Sequence, residues 1–294
     1  MTQLAGDLRE RVAAVTRRAR HGGALCPIVS RCEFVHDAGV RFAVRRALNA
    51  TTKAAIAPHA PRTDPFLPYE QDLYVADLSA THVALLNKYN VFEHHLLIIT
   101  RAYEDQEQWL TLADFEALSV CMAAFGGMGF YNAGRLAGAS QSHKHLQVVP
   151  LPLAAPGPDI PIAPLLEEAT SVPGDSAAGR LPFAHAVMGL DPGWITSPGD
   201  GARELLKTYY TLLQRMGMGN AAEMRDGRQT GPYNLIVSRE WMLLVPRRRE
   251  TYHAITVNAL GIAGALLVWD DAQLRVLREE GPMAALKYVC LPRP

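Results

Sequence analysis

The sequence predicts an α+β fold, an antiparallel sheet flanked by helices, with two related halves in one globular unit. Three observations predict it. Short apolar or alternating runs at 40–45, 72–77, 81–87, 95–100, 233–237 and 242–245 are bounded by turn-forming residues, which is the signature of strands. Two longer stretches, 115–125 and 203–216, repeat apolar residues at helical spacing. The succession of sheet, helix, strand, insertion, helix and hairpin then suggests one plan used twice.

Taken in order, Leu4, Leu8, Val12 and Val15 recur at helical spacing with Asp7, Arg9, Glu10 and Arg11 on the other faces, so the chain opens with an amphipathic helix. Val40, Phe42 and Val44 alternate with Arg41, Ala43 and Arg45 after the turn Asp37-Ala38-Gly39, a strand following a hairpin. From Thr52 to Pro68 prolines are frequent and periodicity is lost, which predicts a loop, suited to a flap over a site. Strands follow at 72–77, 81–87 and 95–100, neighbours in an antiparallel sheet; His94 and His95, where the last of them starts, carry mainly structural weight. Thr111 and Asp114 form a capping box before a helix through Phe115, Leu118, Met122 and Phe125, which Gly126-Gly127 ends. Phe130-Tyr131-Asn132 starts a short strand.

Residues 151–200 are rich in Pro, Ala and Gly, with one short helix at Ala163 to Thr170. Phe183, Val187, Met188 and Trp194 mark this stretch as an insertion packed on the body rather than a free linker, between halves at 1–150 and 201–294. A second major helix covers Arg203 to Met216, and Tyr233 to Val237 with Met242 to Val245 reads as a buried hairpin. Asn258 to Leu277 reads as helical, interrupted at Asp270-Asp271 and covering the sheet.

Chemistry concentrates between these elements, at Gly138-Ala139-Ser140-Gln141-Ser142-His143-Lys144-His145-Leu146-Gln147. In a strand, alternate side chains share a face, so His143, His145 and Gln147 point one way and Lys144, Leu146 and Val148 the other. Imidazole, with an unperturbed pKa of about 6.5, is a competent nucleophile near neutral pH. A neighbouring amide donates to a developing phosphoryl oxygen without changing charge. The small residues Gly134, Gly138, Ala139 and Ser140 let backbone amides converge into an anion-binding concavity just before the histidines. A phosphate cradle beside a histidine nucleophile suits attack on phosphorus.

This segment resembles the histidine-triad superfamily of nucleotidyltransferases and hydrolases, in the variant with glutamine in place of the last histidine. The blocks Pro65-Phe66-Leu67-Pro68-Tyr69-Glu70, Leu86-Asn87-Lys88-Tyr89-Asn90-Val91, Phe130-Tyr131-Asn132 and Tyr233-Asn234-Leu235 are similar to the ATP adenylyltransferase, or diadenosine tetraphosphate phosphorylase, family in the same order. The resemblance implies a histidine-triad-like, hexose-phosphate-uridylyltransferase-like sheet. It implies that His145, second in His-x-His-x-Gln, is the nucleophile, that Gln147 donates to a phosphate oxygen, and that His143 orients the site through the backbone. It also implies that Lys53 meets the polyphosphate, that Asn87, Lys88, Asn132 and Asn234 meet the nucleotide, and that Gly138, Ala139, Ser140 and Gln141 offer their amides.

The implied reaction is reversible phosphorolysis of diadenosine tetraphosphate to ATP and ADP through an adenylyl-histidine. The expected partners are dinucleoside polyphosphates, ATP, ADP, inorganic phosphate and Mg²⁺ carried with the polyphosphate. Hydrolysis of dinucleoside polyphosphates and adenylyl transfer from adenylylsulfate are the alternatives with the same intermediate. A metal-dependent phosphohydrolase using these histidines as ligands fits less well, because 140–150 contains no Asp or Glu. Related uridylyltransferases bind structural zinc with a Cys-x-x-Cys pair, which Cys26, Cys32, Cys121 and Cys290 do not form, so no zinc is expected.

Composition agrees with a local site rather than a global one. Lysine plus arginine and aspartate plus glutamate both number 29, so zero net charge offers no general attraction to nucleic acid or anionic membrane. No apolar run is long enough to span a bilayer, and the expected setting is cytoplasmic.

Overall fold

Eight antiparallel strands carry the architecture in the computed structural model, which describes residues 2–49, 64, 66–171, 179–219 and 227–293. They are β3 (Tyr74–Asp77), β4 (His82–Leu86), β5 (Leu96–Thr100), β6 (Met128–Ala133), β7 (His145–Val149), β8 (Ala186–Gly189), β9 (Tyr233–Val237) and β10 (Trp241–Pro246). Their order is β3-β4-β5-β7-β6-β9-β10-β8. Five come from the first half and three from the rest, in one continuous sheet. A second sheet joins the hairpin β1 (Ser30–Asp37) and β2 (Val40–Ala47) to β11 (Ala265–Val268), which runs parallel to β2. No helix among the described residues is long and apolar enough to cross a membrane.

Three long helices lie on one face of the large sheet: α1 (Thr2–His21), α2 (Leu112–Phe125) and α3 (Pro198–Arg215). Leu8 and Val12 of α1 are fully buried while Arg9, Glu10 and Arg11 are exposed, as the period of the sequence requires. The capping box forms as expected: the Thr111 hydroxyl accepts from Asp114 N and the Thr111 amide donates to Asp114 Oδ2 at 2.7 Å. Gly126, left-handed at φ 60°, ends α2. The opposite face packs on the small sheet, on the insertion through Leu181, Phe183 and Val187, and on the carboxy-terminal helices α4 (Asp271–Glu279) and α5 (Pro282–Val289).

Two segments depart from expectation. Ala265–Val268 is a strand, not part of a helix, because the helix Ala259–Ile262 stops at Gly264, whose φ of 97° turns the chain onto the edge of β2. Its continuous apolar run does not distinguish a buried strand from a buried helix. Ala186–Gly189 forms the edge strand β8 inside the insertion. Four residues are too few to show a period. Residues 50–63 and 65, most of the predicted flap, lie outside the described residues, and Lys53 lies among them.

Behind the central strand, Lys144 projects toward the helical face and donates to Asp114 Oδ2 at 2.7 Å, to Trp109 O at 2.9 Å and to Glu104 Oε2 at 3.1 Å. His82 Nε2 meets Asp114 Oδ1 at 3.1 Å. Burial opposes ionisation of Asp114, but the His82 hydrogen bond and Lys144 outweigh it and lower its pKa to about 2. Asp114→Asn removes this charge and leaves the half-exposed Glu104 as the buried ammonium's one carboxylate partner among the described residues. The expected loss is about 3–5 kcal/mol of unfolding free energy, read by denaturant titration.

Candidate active site

Strand β7 lies between β5 and β6, with Ile99 opposite His145 and Leu97 opposite Gln147. His143, His145 and Gln147 share the face turned away from α1–α3, and Lys144 takes the other, as the alternation predicts. Beside them Val83, Leu85, Leu97 and Ile99 form an apolar floor against which Phe66, Tyr69 and Tyr74 pack. The Phe66 ring stands 5.5 Å from the His143 ring and 5.3 Å from that of His145.

The two histidines are held differently. His143 Nδ1 meets Asp64 Oδ2 at 2.7 Å, and its Nε2 lies 2.9 Å from both the carbonyl and hydroxyl oxygens of Thr100. Both of its ring nitrogens are therefore engaged. His145 donates from Nδ1 to the His143 carbonyl at 2.8 Å. That bond fixes the tautomer and leaves the Nε2 lone pair without a partner among the described residues. His143 thus ties the carboxylate of Asp64, which no local pattern in the sequence marks, to Thr100.

Gln147 is held by His95, whose expected weight is mainly structural. His95 Nε2 lies 2.9 Å from Gln147 Oε1, and His95 Nδ1 lies 3.3 Å from Asn87 Nδ2. The Tyr89 amide, which can only donate, gives its proton to Asn87 Oδ1 at 3.1 Å. Asn87 must then offer its NH₂ to His95 Nδ1, and His95 must donate from Nε2 to Gln147 Oε1. The polarity of this chain turns the Gln147 NH₂ outward.

Burial lowers the pKa of both His145 and His95 to about 4. Both rings are neutral in the folded protein near neutral pH, so His145 keeps an unprotonated Nε2 and His95 a single ring N–H. The unfolded chain protonates them near 6.5, so their contribution to stability is full above that value. It falls as pH drops from 6.5 toward 4, where the folded rings also protonate. The acid limb of histidine modification is expected near pH 4, not 6.5, in rapid-mixing kinetics across pH 3.5–8.

The loop entering β7 is gripped from below. Asn132, Asn234 and Arg247 are buried, and Asn234 Nδ2 donates to Asn132 Oδ1 at 2.8 Å and to Ala137 O at 2.7 Å. Arg247 Nη1 donates to Asn234 Oδ1 at 2.5 Å and to Ala137 O at 3.3 Å. Ala259 N donates to Asn132 Oδ1 at 2.9 Å. The two asparagines expected at the nucleotide are bound up in supporting the loop; Arg247 was hidden in the run Arg247-Arg248-Arg249. The Gly138 and Ala139 amides donate to Arg135 O and Gly134 O within the loop's own turn. Ser140 and Gln141 are exposed, and their amides have no backbone partner among the described residues. The cradle is therefore narrower than the expected four residues. Gly138 has φ 87°, and a Cβ there would come within 2.9 Å of Val257 O and Asn258 Cα. Gly138→Ala should lower stability by about 1–3 kcal/mol, measured by calorimetry.

Lys88 is paired with Glu70 at 2.7 Å, a contact that raises its pKa, so neither member of the Asn87-Lys88 pair is idle in this structure. No three His, Cys, Asp or Glu side chains among the described residues group as metal ligands.

Residues 1–168 match the family model of the Ap4A phosphorylase N-terminal domain, and residues 179–292 that of the ATP adenylyltransferase C-terminal domain. The chain belongs to the Ap4A phosphorylase and ATP adenylyltransferase family. It is 27% identical over 242 residues to diadenosine 5',5'''-P1,P4-tetraphosphate phosphorylase 2 of Saccharomyces cerevisiae, covering 74% of this chain and 72% of the relative. Protein APA1 of the same yeast is 27% identical over 218 residues, 67% of this chain and 64% of that one. The fold is that of yeast Ap4A phosphorylase Apa2, with a TM-score of 0.77 at 24% identity over 98% of this chain and 95% of Apa2. The Apa2 structure in complex with Ap4A gives 0.78 at 23% identity, with 98% of each chain covered. Within this adenylyltransferase family member, the His-x-His-x-Gln strand and its loop fall inside the N-terminal match, while Asn234 and Arg247 come from the C-terminal one.

Proposed function

We propose that this chain phosphorolyses diadenosine tetraphosphate to ATP and ADP through an adenylyl group on His145 Nε2. The observation that carries the reading is the contrast between the imidazoles. His143 and His95 are bonded at both nitrogens, whereas His145 is anchored at Nδ1 and open at Nε2. The relatives' names and the Apa2 complexes with Ap4A and AMP support a nucleotide substrate.

In the first displacement the Nε2 lone pair attacks the α-phosphorus. The N–P bond forms, the bond to the bridging oxygen breaks, and ATP leaves with that oxygen and its electron pair. Gln147 NH₂ donates to a phosphoryl oxygen as charge develops, and the Ser140 and Gln141 amides face the polyphosphate. In the second displacement an oxygen of inorganic phosphate attacks the same phosphorus, ADP forms, and His145 is released neutral. ATP is an acidic leaving group that needs little protonation, which suits glutamine, a residue with no titratable proton, at position 147. Mg²⁺ would travel on substrate oxygens, as it commonly does. Asp64, the carboxylate beside the histidines, is occupied by His143 and by the Phe66 amide.

Product analysis with isotopically labelled phosphate tests this reading. Phosphate-dependent ATP and labelled ADP are expected; phosphate-independent cleavage without labelled ADP would make water the acceptor.

A further inference from the structure

In the large sheet, β6 and β7 pair through Met128–Val149, Gly129–Val148 and Phe130–Gln147, and then part. Continuing that register would put Asn132 opposite His145. The bond from His145 N–H to Asn132 C=O is not made. In its place stands the side-chain amide of Gln106, which is 2% exposed. Its Oε1 accepts from His145 N at 2.8 Å, and its Nε2 donates to Asn132 O at 2.9 Å and to His145 O at 3.4 Å. A primary amide has the donor and acceptor of a peptide group, so the inserted side chain satisfies the ladder while holding two strands apart.

Gln106 is itself fixed on every side. Its amide donates to Ser142 O at 2.7 Å, its carbonyl accepts from the buried Tyr131 hydroxyl, and Lys144 N donates to Glu104 O nearby at 2.7 Å. The segment around 104–106 therefore takes over the pairing of 142–144 just where β6 diverges toward β9, with which it pairs through Ala133–Tyr233. The phosphate loop, 134–142, leaves through the gap so opened.

We propose that Gln106 is a positioning residue: a side-chain amide that replaces one peptide of the sheet, opens the cleft between β6 and β7 and sets the main-chain position of the nucleophile. The inference rests on the proposed role of His145, and it explains why a buried polar side chain sits in the middle of this sheet. Without it the His145 N–H and the Asn132 carbonyl would be unpaired, or the strands would close and carry the imidazole with them.

Gln106→Met keeps length and volume and removes both hydrogen-bonding groups. Adduct formation from diadenosine tetraphosphate in single-turnover mixing should slow about a hundredfold, because a displacement of about 1 Å at a nucleophile has that effect. The Kd for AMP, by calorimetry, should stay within about threefold of the parent's, because Gln106 is buried and its side-chain amide is taken up by His145 and Asn132. In the free protein, hydrogen exchange at the His145 amide should accelerate by at least about tenfold, since its acceptor is gone. Adduct formation within about threefold of the parent, or AMP affinity falling in step with the rate, would overturn the positioning role. Unchanged His145 amide protection would overturn the wedge itself, whatever the reaction proves to be. If the parent forms no adduct, the proposed function fails instead, and the exchange measurement still judges Gln106. Should Gln106→Met not fold, Gln106→Glu retains the acceptor for His145 N–H and loses the donor to Asn132; intermediate exchange and slowed adduct formation are expected, and parent values for both would overturn the inference.

Discussion

His145→Ala should lower phosphorolysis of diadenosine tetraphosphate by at least about a thousandfold and abolish the covalent adenylyl intermediate, with the melting temperature close to that of the parent. Nε2 of His145 has no competing partner among the described residues, and the ring's hydrogen bond from Nδ1 to the His143 carbonyl orients it without supporting the sheet. His143→Ala should behave differently. It removes the side chain linking Asp64 to Thr100, so the loop that carries Phe66 loosens and turnover drops by roughly tenfold to a hundredfold, while the adduct still forms. Quenched-flow trapping separates the two variants. An adduct that persists in His145→Ala would move the nucleophile elsewhere.

Loss of His95 is the second large effect. His95→Phe keeps a ring of similar breadth in the buried site but breaks the chain from the Tyr89 amide through Asn87 to Gln147. Gln147 then has nothing to hold its oxygen inward, and its NH₂ is no longer directed at the phosphoryl group. The expected cost is about a hundredfold in the rate of adduct formation, the size of effect produced by removing one preorganised donor. Gln147→Leu should cost a similar factor. Because both changes remove the same directed donor, the double variant should be little worse than either single one, a coupling that a double-mutant cycle measures. Fully additive losses would show that His95 acts on something other than Gln147. His95→Gln, which places an amide nitrogen near the lost Nε2, should recover part of the rate.

These two residues show what was legible in the sequence. The period of two along 143–149 placed His145 and Gln147 on one face and Lys144 on the other, and the capping box, the three long helices α1–α3 and the hairpin of β9 and β10 follow from local pattern. What local pattern does not carry is pairing across the chain. His95 sits at a strand end beside another histidine, and only the β5–β7 pairing puts it against Gln147, 52 positions away. Gln106 lies in an unpatterned stretch of Glu and Asp, where nothing marks it for the interior. Asp64 stands before Pro65 at the margin of a proline-rich loop, and its bond to His143 crosses 79 positions. Asn132 and Asn234, expected at the nucleotide, bond to one another under the loop across 102 positions, a pairing that no local pattern carries. Ala265–Val268 failed for a related reason, since its strand character depends on an edge that β2 supplies.

The most direct test of the account is to mix the protein with diadenosine tetraphosphate labelled at the α-phosphates, omit inorganic phosphate, and map the label after proteolysis under alkaline conditions that preserve a phosphoramidate. The account predicts one acid-labile adenylyl group on the peptide containing His145, attached at Nε2, which added phosphate chases into ADP. Label on His143 or His95, or phosphate-dependent ADP formation with no labelled protein at any time, would contradict it.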